Sequence, residues 1–243
     1  MIILTYGQPK SASTFLFLLM KRACEVMGSD LCQVRRRVFS EDPSRTEEFW
    51  RGHLDPLAGF VGKVHDSDFL PIKTHDGFPK KLERFFKSGE ILPYISYRNI
   101  GDSALSAFEA GEKARREKNY KQDFHKIESH REAIDYIGKH VVSFTIPWLR
   151  SRVGYAYSYD DISSSPAKVL ESLSEVANVD PELFLRDPVL ADLIEGKRKA
   201  YNFNKGVSGR HMEMFSEEDL AYLEEKYGRF NKFCAQELSL DQL

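Results

Sequence analysis

The sequence has no surplus of charge of either sign: 35 Lys and Arg stand against 37 Asp and Glu, for a formal net charge of -2. No overall basic field is available for nucleic acid or an anionic membrane, so any anion must be bound locally. Cysteine is scarce as well. Cys24, Cys32 and Cys234 are odd in number and lack CxxC spacing, which argues against a disulfide framework and a zinc site. They read as small residues in a reducing compartment, and no metal is expected. No stretch approaches the ~20 apolar residues needed to span a bilayer. No basic region followed by an apolar run opens the chain, so a cytoplasmic location without membrane or nucleic-acid partners is the expectation. Also missing is the Gly-Lys-Ser or Gly-Lys-Thr ending of a nucleotide-hydrolase phosphate loop.

What is present suits one domain spanning 1–243. Hydrophobic residues make up 42% of the chain, enough for a single sizeable core. "IILTY" at the start, "DFLPIKTHDG", "ILPYISYRNIGD" and "GYAYSYDD" read as strands. Between and after them, "STFLFLLMKRACEVMG", "PKKLERFFKSG", "SALSAFEAGEKARREK", "KIESHREAIDYIGKH" and "SEEDLAYLEEKYGRFNKFC" have helical spacing. Alternating strands and helices predict an α/β fold with a central parallel sheet covered on both faces. "QVRRRVF", from Gln33, is compatible with a further strand.

Four polar stretches fall where strands give way to helices, the places at which ligands gather in open parallel sheets. In "PKSAST", Lys10, Ser11, Ser13 and Thr14 surround a helix start whose unpaired N–H groups favour a phosphate, although Ser11 or Ser13 acting only as a helix cap is an even alternative. In "IKTH", Lys73 and His75 lie two apart on a strand, which joins a fixed cation to a titratable base. In "YRNIGDSALS", Arg98 ends a strand, Gly101 suits a tight turn, Asp102 is a candidate cap, and Ser106 comes back toward that turn. "NKGVSG" adds Lys205 and Gly206 in a glycine-bearing cationic loop.

Together "YGQPKSASTF", "IKTH", "SYRNIGDSALS", "YSYDD" and "FNKGVSG" resemble, in this order, the cytosolic-type sulfotransferases that use 3′-phosphoadenosine 5′-phosphosulfate. The resemblance implies a three-layer fold related to the P-loop NTPases, with the cosubstrate released as adenosine 3′,5′-bisphosphate and no metal. It implies that Lys10, Ser11, Ala12, Ser13 and Thr14 hold the 5′-phosphosulfate, with Phe15 beside the adenine. Arg98 and Ser106 would hold the 3′-phosphate, Tyr159 would contact adenine, and Lys205 with Gly206 would close the cofactor loop. His75 falls on the catalytic base, with Lys10 and Lys73 as its cationic partners. Ala12 stands in place of a loop glycine, Asn204 in place of an arginine, and His211 where tryptophan is common.

The reaction so implied is sulfuryl transfer, dominated by positioning and fixed cations, with His75 taking a proton from an acceptor hydroxyl or amine. A phosphate-loop kinase and a noncatalytic nucleotide-binding protein are the alternatives. The acceptor is expected to be a small-molecule or glycan hydroxyl. Phe39, Trp50, His53, Phe60, Phe78, Phe124 and Trp148 are candidates for its pocket or for the core. The letters leave oligomeric state open.

Overall fold

The computed structural model describes residues 1–39, 54, 56–65, 67–121, 123–195 and 207–243. Strand β1 (Ile2–Gly7) is buried along its whole length, as its unbroken apolar run requires when both sheet faces are covered. It feeds helix α1 (Ser13–Val26), whose buried stripe runs through Leu16, Leu19, Met20 and Ala23. Helix α2 (Leu31–Phe39) follows, so the arginine-rich run from Gln33 is helical and not the strand its β-branched residues suggested. The reason is amphipathicity: Leu31, Val34 and Val38 recur at helical spacing and bury one face, while Arg37 reaches out to pair with Asp68.

After α3 (Leu57–Val61) come β2 (Leu70–Thr74), α4 (Glu83–Lys87), β3 (Ile91–Tyr97) and α5 (Ile100–Arg116). Helix α6 (His130–His140) is capped by Ser129 and passes through a π turn, Val141–Thr145, into α7 (Ile146–Arg150). Strand β4 (Tyr155–Ser158) leads to α8 (Tyr159–Ser164), α9 (Pro166–Ala177), α10 (Glu182–Leu185) and α11 (Pro188–Ile194). The described chain resumes before α12 (His211–Met214) and continues through α13 (Glu217–Cys234), where the Ser216 hydroxyl accepts the Asp219 N–H as expected of a cap, to a short 3-10 turn at Leu240–Gln242.

Among the described residues the sheet has four strands, ordered β2-β1-β3-β4 and parallel throughout. Side-chain alternation divides β1 between two cores. Ile2, Leu4 and Tyr6 meet residues from α5, α6, α7 and α13 on one face, while Ile3 meets α1, α9 and α11 on the other. The expected three-layer α/β arrangement is therefore present. Its register matters for function. Tyr6 pairs with Thr74 and Ile95, and Gly7 with Ser96, so β1, β2 and β3 end at one level. Because β1 has β2 on one side and β3 on the other, the chain reverses its direction of winding there, and the loops beyond the strand ends open a crevice.

Candidate active site

Four of the sequence-predicted residues lie just past strand ends, at the level of that crevice: Lys10 after β1, His75 after β2, Arg98 after β3 and Tyr159 after β4. The β1–α1 loop is shaped mainly by backbone. Lys10 (φ 67) and Ala12 (φ 65) both adopt the left-handed conformation without being glycine. Such positions cost about 1–2 kcal/mol each. The return is geometric: a left-handed residue next to the helical Ser13 turns successive N–H groups into one concavity suited to an anion. Leu16 N–H is bonded to Ala12 O, so the N–H groups of Ser13, Thr14 and Phe15 precede the first intrahelical bond. Neither Ser11 nor Ser13 caps α1, since Ala12 occupies that position with no side-chain bond. The Ser11 hydroxyl is buried instead, within 2.7 Å of Gln8 O and 2.8 Å of Ser96 Oγ, and holds the loop against β3. Gly7 is required by close approach, because a Cβ there would lie 2.0 Å from Ser13 Cβ.

Lys73 is almost fully buried, and its Nζ donates to Thr14 Oγ1 at 2.8 Å. The Thr14 hydroxyl keeps its own hydrogen for donation to an anion. His75 Nδ1 lies 2.5 Å from Gly7 O. A carbonyl oxygen only accepts, so Nδ1 carries the proton and Nε2 is the basic nitrogen of the neutral ring. Trp148, buried in the core, braces the following residue through Nε1–H to Asp76 O at 2.9 Å.

The β3–α5 turn is shaped by side chains. Asn99 caps α5 by accepting the N–H groups of Gly101 and Asp102. Asp102 is therefore not the cap, and Gly101 is helical and makes no tight turn. What Gly101 provides is room, since a Cβ there would meet the His211 ring at 2.3 Å. The Asp102 carboxylate accepts Gly209 N–H at 2.9 and 3.0 Å and faces His211 Nδ1 at 2.9 Å. Burial works against its charge, but the hydrogen bonds from His211 and Gly209 prevail and hold its pKa below the usual carboxylate range. Ser106 lies one turn further along the same helix face and is buried.

Arg98 is buried with its guanidinium 3.6 Å from the centre of the Tyr159 ring. Its Nη1 donates to Lys10 O at 3.4 Å and its Nη2 to Val207 O at 3.2 Å, whereas its buried Nε–H has no acceptor among the described residues. Lys10 lies over the Phe124 ring, 5.4 Å from its centre. Burial, reinforced by the Arg98 charge and opposed by Glu109, lowers the Lys10 pKa to about 8. Two partly desolvated cations this close, with the Arg98 charge acting against that of Lys10, are electrostatics that favour an anion beside them.

Sequence reasoning missed Gln8. Fully buried, it donates to Arg98 O (2.8 Å) and Ser103 Oγ (2.9 Å) and accepts Arg98 N–H (3.1 Å), locking the two loops together. A buried amide inside a polar motif is visible as a letter, but its partners lie 90 and 95 residues away. Phe15 is half-buried and packs with Ala12 against the α1-side core. Of the aromatic candidates, Phe39 and Phe60 pack edge to face, Phe78 sits against Trp148, and Phe124 lies under Lys10. Trp50, His53, Asn204, Lys205 and Gly206 lie outside the described residues. Among the described residues no group of three or more His, Cys, Asp or Glu side chains could hold a metal ion, and no helix is long and apolar enough to cross a membrane.

No protein-family model matches the sequence, and neither does any curated protein. Solved structures do. The chain is similar to a mouse sulfotransferase, SULT7A1, complexed with PAP: 14% identity, 98% of this chain and 89% of that one covered, TM-score 0.58. It is also similar to retinol dehydratase in complex with androsterone and the inactive cofactor PAP: 15% identity, 95% and 80% covered, TM-score 0.52. A parallel sheet in this strand order, helices on both faces and strand ends opening on one crevice give this chain the sulfotransferase fold.

Proposed function

We propose that the protein transfers a sulfuryl group from 3′-phosphoadenosine 5′-phosphosulfate to a hydroxyl or amine acceptor. The observation that carries this reading is the convergence of Lys10 and Arg98. Two cations with opposing fields share the mouth of one crevice, beside a backbone cradle held in a strained conformation. A ligand with two separated anionic groups matches that arrangement better than one with a single phosphate. The buried Arg98 Nε–H, which has no acceptor among the described residues, fits the same ligand, because such a donor is costly until it is bonded.

In this reading Lys10, Thr14 and the N–H groups at the start of α1 hold the 5′ end, with Ser11 and Ala12 shaping the loop and Ser13 at its rim. Arg98 and Ser106 hold the 3′-phosphate, Tyr159 and Phe15 flank the base, and Lys205 and Gly206 belong to the same cofactor-binding set. When bound, the cosubstrate supplies the activated sulfuryl group. His75 Nε2 receives the proton of the acceptor hydroxyl, while Nδ1–H bonded to Gly7 O keeps the ring in one tautomer and orientation. Lys73 fixes Thr14 and adds positive charge behind it. Lys10, Lys73, His75 and Arg98 each lie on or just past a strand end, the kind of placement that catalysis by positioning and preorganised charge requires.

Thermal unfolding with added nucleotides tests the reading. Adenosine 3′,5′-bisphosphate at about 100 times its dissociation constant adds about 2.7 kcal/mol and raises the midpoint by about 5–10 °C. Adenosine 5′-monophosphate shifts it less. Stabilisation by ATP with magnesium alone would overturn the proposal in favour of a kinase.

A further inference from the structure

Residues 207–211 form a strap: each of the five makes a polar contact with α5, with α8 or with the turn before α5. Val207 O accepts from Arg98 Nη2 at 3.2 Å, and the Ser208 hydroxyl donates to Asp160 Oδ1 at 2.5 Å. Gly209 N–H is shared between the two Asp102 oxygens, Arg210 pairs with both Glu109 oxygens at 2.5 and 3.2 Å, and His211 Nδ1 meets Asp102 Oδ1 at 2.9 Å. Gly209 sits at φ 85, a conformation that favours glycine. Asp102, Ser106 and Glu109 recur at helical spacing on α5, so the two anchors of the strap bracket Ser106.

These contacts are unequal. Ser208 and Asp160 are exposed, and the pair of Arg210 with Glu109 is partly so, which leaves both open to water and screening. Asp102 and His211 are buried. A carboxylate oxygen only accepts, so His211 Nδ1 carries the hydrogen, and this charge-assisted bond acts where screening is least. The imidazole is seated on Gly101, where a Cβ would collide with it. His211 is thus the fixed end of the strap, and Val207 is the end that reaches Arg98. The Arg98 guanidinium is held by three groups: Lys10 O in the β1–α1 loop, Val207 O on the strap and the Tyr159 ring at the start of α8. An arginine oriented before its ligand arrives gives up less freedom on binding than one left to rotate.

We propose that His211 is a positioning residue of the anion site: its bond to Asp102 fastens the strap to α5, and the fastened strap keeps the Arg98 guanidinium oriented for a 3′-phosphate. The proposal rests on the sulfuryl-transfer reading, which supplies the identity of that anion. His211 touches no ligand in this scheme. It acts through Asp102, Gly209 and Val207, so its loss is felt as weaker discrimination for the 3′-phosphate and not as a general loss of nucleotide binding.

Calorimetric titration of the full chain with adenosine 3′,5′-bisphosphate and with adenosine 5′-monophosphate tests this, because the ratio of the two Kd values isolates the 3′-phosphate. Two variants separate the bond from the packing. His211→Phe keeps a ring over Gly101 and cannot donate, whereas His211→Asn gives up the ring and places an amide N–H near the position of Nδ1. The expected result for His211→Phe is a rise of about tenfold in the bisphosphate Kd with less than about twofold for the monophosphate, and His211→Asn recovers most of the loss. In the ligand-free protein the Gly209 amide exchanges at least about tenfold faster in His211→Phe than in the wild type. A His211→Phe variant with the wild-type Kd ratio, or a His211→Asn variant that loses the ratio as fully, would overturn the proposal. If His211→Phe fails to fold, Asp102→Asn, which weakens the same bond by removing its charge, is judged by the same ratio. Absence of bisphosphate binding by the wild type would overturn sulfuryl transfer itself, whereas binding whose preference does not answer to His211 overturns the positioning role alone.

Discussion

The loops after β1 and β3 face the same crevice but are built in opposite ways. The first uses main chain: two left-handed non-glycine residues, a helix start and the Gly7 carbonyl that orients His75. The second uses side chains: the Asn99 cap, the Arg98 guanidinium on Tyr159 and the Asp102 carboxylate that gathers Gly209 and His211. A main-chain cradle resists substitution because most side chains leave its N–H groups in place. A side-chain pocket is lost with one residue. Gln8 couples the two, so damage to it reaches both.

The largest effect is expected at the side chain after β2 that the main-chain loop orients through the Gly7 carbonyl. Replacing His75 with alanine lowers turnover by a factor on the order of 100 to 10,000, with binding of the bisphosphate largely intact. Stopped or discontinuous assays with labelled donor measure this, and an unchanged rate removes His75 from the role. Next comes the side-chain pocket. Arg98→Ala is expected to weaken the bisphosphate by about 10- to 100-fold and adenosine 5′-monophosphate little, since charged hydrogen bonds contribute about 1.5–3 kcal/mol. Equal losses for both ligands would contradict a 3′-phosphate contact.

Gln8→Ala breaks the coupling itself. Leaving buried partners at Arg98 and Ser103 unsatisfied is expected to cost about 2–3 kcal/mol of stability, read from denaturant midpoints. Affinity then falls for both ends of the nucleotide, where Arg98→Ala affects one.

Proton linkage gives a smaller effect of known sign. With the free-state Lys10 pKa at about 8, the ammonium is lost as pH rises through that value, whereas a bound anion holds the proton. Bisphosphate affinity is therefore expected to fall about tenfold from pH 7 to pH 9, and Lys10→Gln to bind weakly with a flat profile over that range. A wild-type profile as flat as the variant's would place Lys10 outside the anion contact. The smallest change is Ala12→Gly. Relief of left-handed strain, about 1–2 kcal/mol, exceeds the backbone entropy of glycine, about 0.5–1 kcal/mol, so the variant is expected to be more stable by up to about 1.5 kcal/mol. A clear loss of stability would show that the loop conformation is not under strain.

The sequence by itself determined the strands, helix α1 and the cap of α13, because apolar runs, 3.6-residue periodicity and a serine before acids are local signals. It also placed Lys10, His75, Arg98 and Tyr159 at strand ends, where a parallel sheet gathers ligands. Local signals failed where two readings competed. Gln33–Phe39 has β-branched residues and also a helical apolar stripe, and burial of Leu31, Val34 and Val38 decided for helix. Asp102 and Asn99 are both good caps, and Asp102 was drawn away by partners more than 100 residues distant. Only the tertiary structure could decide that Gln8 binds the β3–α5 turn and that Ser11 faces inward. These contacts depend on strand order and register, which bring residues far apart in sequence to one edge of the sheet, and no short window of the chain carries that information.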